Sequence, residues 1–361
     1  MTPLFRQIHR RLAAGSALTL LAVALSAAPA PADTPEDDVK AMTDACAKPA
    51  TPNDQVVACT RLIETRLLQG KELAQALYQR GLGYAAPGQY DTAIRDFDQA
   101  LKFAPDATDA RFNRGGAYTK LGKWKDALAD FNALLEAVPN DPNTLYARAW
   151  VYSQLGEDEK SIADLDAVLA QAPDDADALV DRGGLNIRAG HYAAAAKDFS
   201  ALLKLEPKSA AAAYNRGRAY YAAGEFKKAA ADFALALKLR AGNPYAALRA
   251  HLAAARVAGK FPKDDAALKA AAEKLEPEVW PRPLLELFLG TGTPEALLAG
   301  INKVPPNLRA PVLCEANYYL AERAAILGDK AAAGKFYQAA ADTKAATQLE
   351  YIDAKNALKA K

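Results

Sequence analysis

The stretch Tyr214–Leu237, YNRGRAYYAAGEFKKAAADFALAL, decides the reading of this chain because it is not unique. Its internal glycine, Gly224, has counterparts at Gly190, Gly156, Gly122 and Gly88, each 34 residues apart and without insertion. Self-similarity at a fixed period of this size means stacked supersecondary units rather than one irregular domain. Other positions keep the same register. A small residue lies seven before each glycine (Gly81, Gly115, Ala149, Gly183, Gly217) and another five after it (Ala93, Ala127, Ser161, Ala195, Ala229). A large apolar residue follows at Phe97, Phe131, Leu165, Phe199 and Phe233, and a proline ends four of the copies at Pro105, Pro139, Pro173 and Pro207, with Ala241 in the fifth. Small residues let two helices approach closely, the large residue plugs the space between them, and proline stops the second helix.

This order of small, aromatic, small, aromatic and proline positions resembles the tetratricopeptide repeat (TPR) family over Ala74 to Asn243. The resemblance implies an all-α fold, a right-handed α-solenoid of helix-turn-helix repeats. Each arginine one residue before the small position has an aspartate 16 residues on: Arg80 and Asp96, Arg114 and Asp130, Arg148 and Asp164, Arg182 and Asp198, Arg216 and Asp232. A ladder of partly buried ion pairs between paired helices is expected from that spacing, with each arginine held by an aspartate of its own or the preceding repeat.

Composition bounds the rest. The 361 residues are 51% hydrophobic and 24% charged, ordinary for a folded chain with an extended core. Residues 1–32 stand apart: Arg6, Arg10 and Arg11 precede an apolar run from Leu12 to Ala28 that ends in APAPAD. This reads as a cleaved secretory signal, with cleavage after Ala32 and a periplasmic destination; with no cysteine near the cleavage point, a lipoprotein anchor is not expected. Without that segment basic and acidic residues nearly balance, so neither a nucleic-acid partner nor a membrane-surface role is expected.

Three parts are expected after the signal: an N-terminal helical pair over 33–73, five repeats over 74–243, and a less regular helical region over 244–361 with a degenerate repeat turning at Gly328 and a capping helix from Ala346 onward. Cys46 and Cys59 flank the turn KPATPND of the helical pair and are expected to form a disulfide, as an exported chain permits. Cys314, inside PVLCEANYYL, is expected to be a buried free thiol. The combination of WPRPLLELFLG, CEANYYL and EYIDAKNAL resembles the C-terminal half of NlpI-type TPR proteins of the Gram-negative envelope. That resemblance implies an adaptor bringing a periplasmic processing protease and cell-wall hydrolases together, although this chain lacks the lipid-accepting cysteine of such proteins.

Few residues suggest catalysis. Beyond the signal the histidines are His191 and His251, far apart in the repeat frame, and the adjacent acids Asp37 and Asp38, Asp174 and Asp175, Asp264 and Asp265 fall at helix starts where the dipole favours them. The glycines of RGLG and NRGGAY lack the strand and lysine of a phosphate loop and are helix-packing glycines. No enzymatic activity, cofactor, metal or small-molecule substrate is expected.

The expected partner is instead a protein or peptide. First helices of such repeats line the concave side, which places Tyr78, Phe112, Asn113, Tyr146, Trp150, Tyr214, Asn215, Arg218 and Tyr221 on an aromatic groove with polar anchors. Tyr214, Asn215, Arg218 and Tyr221 are expected to have no core duty. TPR domains that clamp a C-terminal carboxylate spread lysines and asparagines over three repeats; Asn215 and Arg249 match, but Val180, Gly184 and Tyr245 do not, so that activity is not expected. The alternative is a structural role, with self-association through 244–361 building a homo-oligomeric envelope assembly.

Overall fold

The computed structural model describes residues 35–276, 279–345 and 349–359; the expected export signal lies outside them. Every regular element among the described residues is a helix, and the fold class is an all-α repeat solenoid. The described residues fall into two compact units, one up to Pro173 and one from Asp174 onward.

The first unit opens with α1 (Pro35–Ala47) and α2 (Pro52–Glu64), the latter capped by Thr51, whose hydroxyl accepts from the Asp54 amide. Cys46 and Cys59 join the two helices through a disulfide. Three helix pairs follow: α3 (Gly70–Ala85) with α4 (Tyr90–Phe103), α5 (Thr108–Lys120) with α6 (Trp124–Ala137), and α7 (Pro142–Leu155) with α8 (Asp158–Gln171). Each helix packs on the next in sequence, and first helices also meet one another, α3 with α5 and α5 with α7. The first helices therefore form the inner layer.

The second unit continues the same pairing with α9 (Ala176–Ala189) and α10 (Tyr192–Leu205), then α11 (Ala210–Ala222) and α12 (Phe226–Leu239). Beyond it lie α13 (Pro244–Ala258), three short helices α14 (Ala266–Glu273), α15 (Arg282–Leu289) and α16 (Pro294–Ile301), a long α17 (Pro306–Ile326), α18 (Lys330–Asp342) and α19 (Leu349–Lys359). The stretch EPEVWPRPLLELFLGTGTPEALL, which interrupts the helical pattern of the less regular region, thus holds α15 and most of α16. Their Leu284, Leu285, Leu287, Phe288, Leu297 and Ile301 join one apolar core that runs from Tyr221 to Ala354.

The repeat glycines do two jobs. Gly88, Gly122, Gly156, Gly190 and Gly224 adopt φ between 69° and 91°, the left-handed turn conformation that side chains resist. Gly81, Gly115, Gly183 and Gly217 instead face the plug: a Cβ on them would stand 2.6, 2.8, 2.8 and 2.9 Å from the ring of Phe97, Phe131, Phe199 and Phe233. The third repeat substitutes both members, Ala149 against Leu165, and both are fully buried. One methyl added on one helix is matched by a smaller plug on the other, so the contact is kept at constant volume.

The arginine ladder is present in all five repeats. Nη2 and Nε of each arginine grip the two carboxylate oxygens of the aspartate 16 residues on, with Nη2–Oδ1 distances of 2.8, 2.6, 2.7, 2.5 and 2.7 Å from Arg80 to Arg216. The pairs are part-buried: the Asp130 side chain is 3% exposed and that of Arg114 19%. The third arm reaches back to the preceding second helix, Arg114 to Asp98, Arg148 to Asn132 and Arg216 to Ser200, so that one guanidinium ties three helices. Fork-to-fork geometry is the strong form of such pairs.

Candidate protein-binding face

In the first unit the inner layer carries Tyr78, Phe112, Asn113 and Trp150 half-buried. Each ring leans on the core while keeping an edge outward: Tyr78 lies 6.0 Å from Phe97, Phe112 5.8 Å from Phe131, and Trp150 5.5 Å from Trp124. Asn113 donates to the Tyr78 hydroxyl at 3.2 Å and to the Asp109 carbonyl at 2.9 Å, which links neighbouring first helices. Burial, together with the Asp109 charge, pushes the Tyr78 phenol up to about 12, so it stays a neutral donor. Tyr146 differs from expectation. It is 2% exposed, so it is a core residue and not a surface for contact.

In the second unit Tyr214 and Asn215 are half-buried, and the Tyr214 ring packs 5.6 Å from Phe233. Arg218 and Tyr221 do not keep the freedom expected of them: both are buried, at 5% and 7% exposure. The reason is that α17 and α19 fold back onto this face. Arg218 pairs with Asp353 of α19 at 3.0 Å, and the Tyr221 hydroxyl donates to Glu322 of α17, where Arg256 also arrives at 2.8 Å. Arg249, from α13, is the deepest charge, bound to Asp353 at 2.8 Å, Glu350 at 3.2 Å and the Tyr318 hydroxyl at 3.0 Å. Burial alone would raise the Asp353 carboxyl, but the Arg218 and Arg249 charges outweigh it and hold it below the usual carboxylate range. Sequence periodicity gave no sign of these contacts, which span 66 to 135 residues.

The remaining chemistry-bearing groups serve the fold. Cys314 is buried and free, and burial pushes its thiol up to about 11, away from nucleophilic use. His251 sits between Phe261 and Phe288 with Nδ1 at 2.9 Å from Asp265, the residue that caps α14. His191 is exposed in the turn before α10. Among the described residues no group of three or more histidine, cysteine or acidic side chains is placed to hold a metal, and no helix is long and apolar enough to cross a membrane.

Glu315 of α17 accepts from the Trp280 indole and the Tyr245 hydroxyl. Burial, and after it the nearby Glu350 charge, raise it to about 7 from an ordinary 4.5. Between those values the folded chain holds a proton that the unfolded chain has released. Stability from this group therefore falls as pH rises from about 4.5 to about 7, then levels. Glu315→Gln should flatten that slope and raise stability at pH 8 by up to ~3 kcal/mol. Urea midpoints of both proteins across pH 4.5–8 measure it; parallel curves would refute it.

The tetratricopeptide repeat profile matches residues 78–142, 146–196 and 185–244, and the repeats of this chain are therefore TPR units. No curated protein matches the chain. Among solved structures, YrrB, described as a TPR protein with an unusual peptide-binding site, is 22% identical, covers 53% of this chain and 96% of its own, and superposes with a TM-score of 0.47. A TPR protein from Parabacteroides merdae is 17% identical over 79% of this chain and 98% of its own, with a TM-score of 0.49. MamA from Desulfovibrio magneticus is 23% identical over 47% and 94%, with a TM-score of 0.43.

Proposed function

We propose that this chain, whose residues 78–244 carry tetratricopeptide repeats, is an exported, non-enzymatic scaffold that holds protein partners on the inner face of its first helices. The observation that carries the reading is the set Tyr78, Phe112 and Trp150, half-buried aromatics braced on Phe97, Phe131 and Trp124, with Asn113 set between repeats. Rings braced by the core offer contact area at little ordering cost, and amides pair with an extended backbone. The basic and apolar segment before residue 33 supports export to the periplasm, and the Cys46–Cys59 disulfide suits an oxidising compartment. An adaptor role for envelope proteases and cell-wall hydrolases is the finer form of the proposal, supported by the sequence resemblance of the C-terminal region. The apolar residues of that region are largely used in the chain's own core, which favours the repeats over self-association as the main contact surface.

The test uses a partner recovered from cells, identified and repurified. Phe112→Ala with Trp150→Ala should weaken its binding tenfold or more, on the order of 1.4 kcal/mol, with helicity kept. Lys102→Ala with Glu136→Ala, exposed on second helices, should leave it unchanged. Unchanged affinity in a well-folded Phe112/Trp150 variant would remove the inner face as the binding surface.

A further inference from the structure

The inner face of the second unit has an occupant from its own chain. Helix α19 sets Asp353 between Arg218 and Arg249, places Glu350 on Arg249, and donates from the Asn356 amide to the Ile187 carbonyl at 3.1 Å. The two arginines are 5% and 1% exposed. Guanidinium groups this deep demand carboxylate partners, so the chemistry of the face is selective for acids. Arg249 is also braced without α19, since it lies over the rings of Tyr318 and Tyr319 at 5.0 and 5.5 Å and donates to the Tyr318 hydroxyl.

Helix α19 fits this site incompletely. The Nε atoms of Arg218 and Arg249 are both buried with no hydrogen-bond partner among the described residues. A buried donor left unmade carries a penalty that a ligand with more acceptors can recover. The apolar grip of α19 is also shallower than that of α17. Ala354 is buried and Tyr351, Ala357 and Leu358 lean half-buried on the core, whereas α17 sinks Val312, Cys314, Ala316, Tyr318, Tyr319 and Leu320 into it.

We propose that Arg218 and Arg249 form a recognition site for an acidic helical segment of a partner protein, and that α19 is an internal stand-in which such a segment displaces. This rests on the inner face being a protein-binding surface, and it adds the ligand's chemistry. The segment presents two carboxylates three residues apart on one helical face, as Glu350 and Asp353 do, with an amide or hydroxyl a further turn on, as at Asn356.

The probe is a fluorescein-labelled peptide of residues 349–359, LEYIDAKNALK, added to the full chain and to its Glu350→Gln, Asp353→Asn variant. In the variant, amides of 349–359 should exchange faster with solvent while those of α9 to α13 keep their protection. The peptide should bind the variant at least tenfold more tightly than the unaltered chain, where α19 competes, and the same peptide carrying Asp353→Asn should bind neither. Equal binding to both proteins, or equal binding of both peptides, would overturn the proposal. So would a variant that loses helicity throughout, because α19 would then be a core element. The probe is the chain's own sequence, so its failure leaves the Phe112 and Trp150 test standing and separates the two ideas.

Discussion

Asp164→Ala should cost ~3 to 5 kcal/mol of folding stability, far more than an ordinary surface charge. Asp164 takes two donors of Arg148, Nε at 2.8 Å and Nη2 at 2.7 Å, and its own side chain is 8% exposed. The third arm of Arg148 ends on the neutral amide of Asn132, so removing the aspartate leaves a part-buried cation without a carboxylate. Lys71 and Asp106 form the contrasting pair: 79% and 70% exposed at 3.0 Å, they are screened by solvent and should add little to stability. Replacing both partners, Arg148→Met with Asp164→Leu, should cost less than Asp164→Ala alone, since no charge is then stranded. Denaturant unfolding of the variants measures the order. A loss below 1 kcal/mol for Asp164→Ala would reduce the ladder to surface electrostatics.

The plug contact gives the second large effect. Phe131→Ala should cost ~3 to 5 kcal/mol, because a fully buried ring leaves a cavity that its close-packed walls cannot fill. Gly115→Ala should cost ~1 to 3 kcal/mol on its own, as the new Cβ would meet the Phe131 ring at 2.8 Å. The combination Gly115→Ala with Phe131→Leu copies the third repeat, where Ala149 faces Leu165, and should cost less than the two single changes added together. Strict additivity of the two changes would show that the third repeat is not a volume-matched exchange.

These two features could be read from the sequence because each recurs. Arg148 and Asp164 are one of five pairs at one spacing, and Gly115 and Phe131 sit in a frame kept without insertion from Gly88 to Gly224. The covalent tie from Cys46 to Cys59 and the burial of Cys314 were also legible, from a turn between amphipathic helices and from an apolar helical stretch. What does not recur was harder. α15 and α16 span eight residues each, about two turns, too short for a helical period to stand out from a run of leucines. The seat of α19 rests on contacts such as Arg218 with Asp353, 135 residues apart and made once. Register predicts which face of a first helix looks inward, and Tyr78, Phe112 and Trp150 of that face are half-buried. It could not say that Arg218 and Tyr221, on the same face, meet α19 and α17, nor that Tyr146 is core while its frame-mates Tyr78 and Phe112 are half-buried.

Partners are proposed to bind the inner layer of first helices. Photo-crosslinking amino acids placed singly at Phe112 and Trp150, and for comparison at Lys102 and Glu136 on the second helices α4 and α6, test it in living cells. One partner protein, identified by mass spectrometry, should be captured from positions 112 and 150 and not from 102 or 136. Capture of that partner from 102 and 136, with none from 112 and 150, would contradict it.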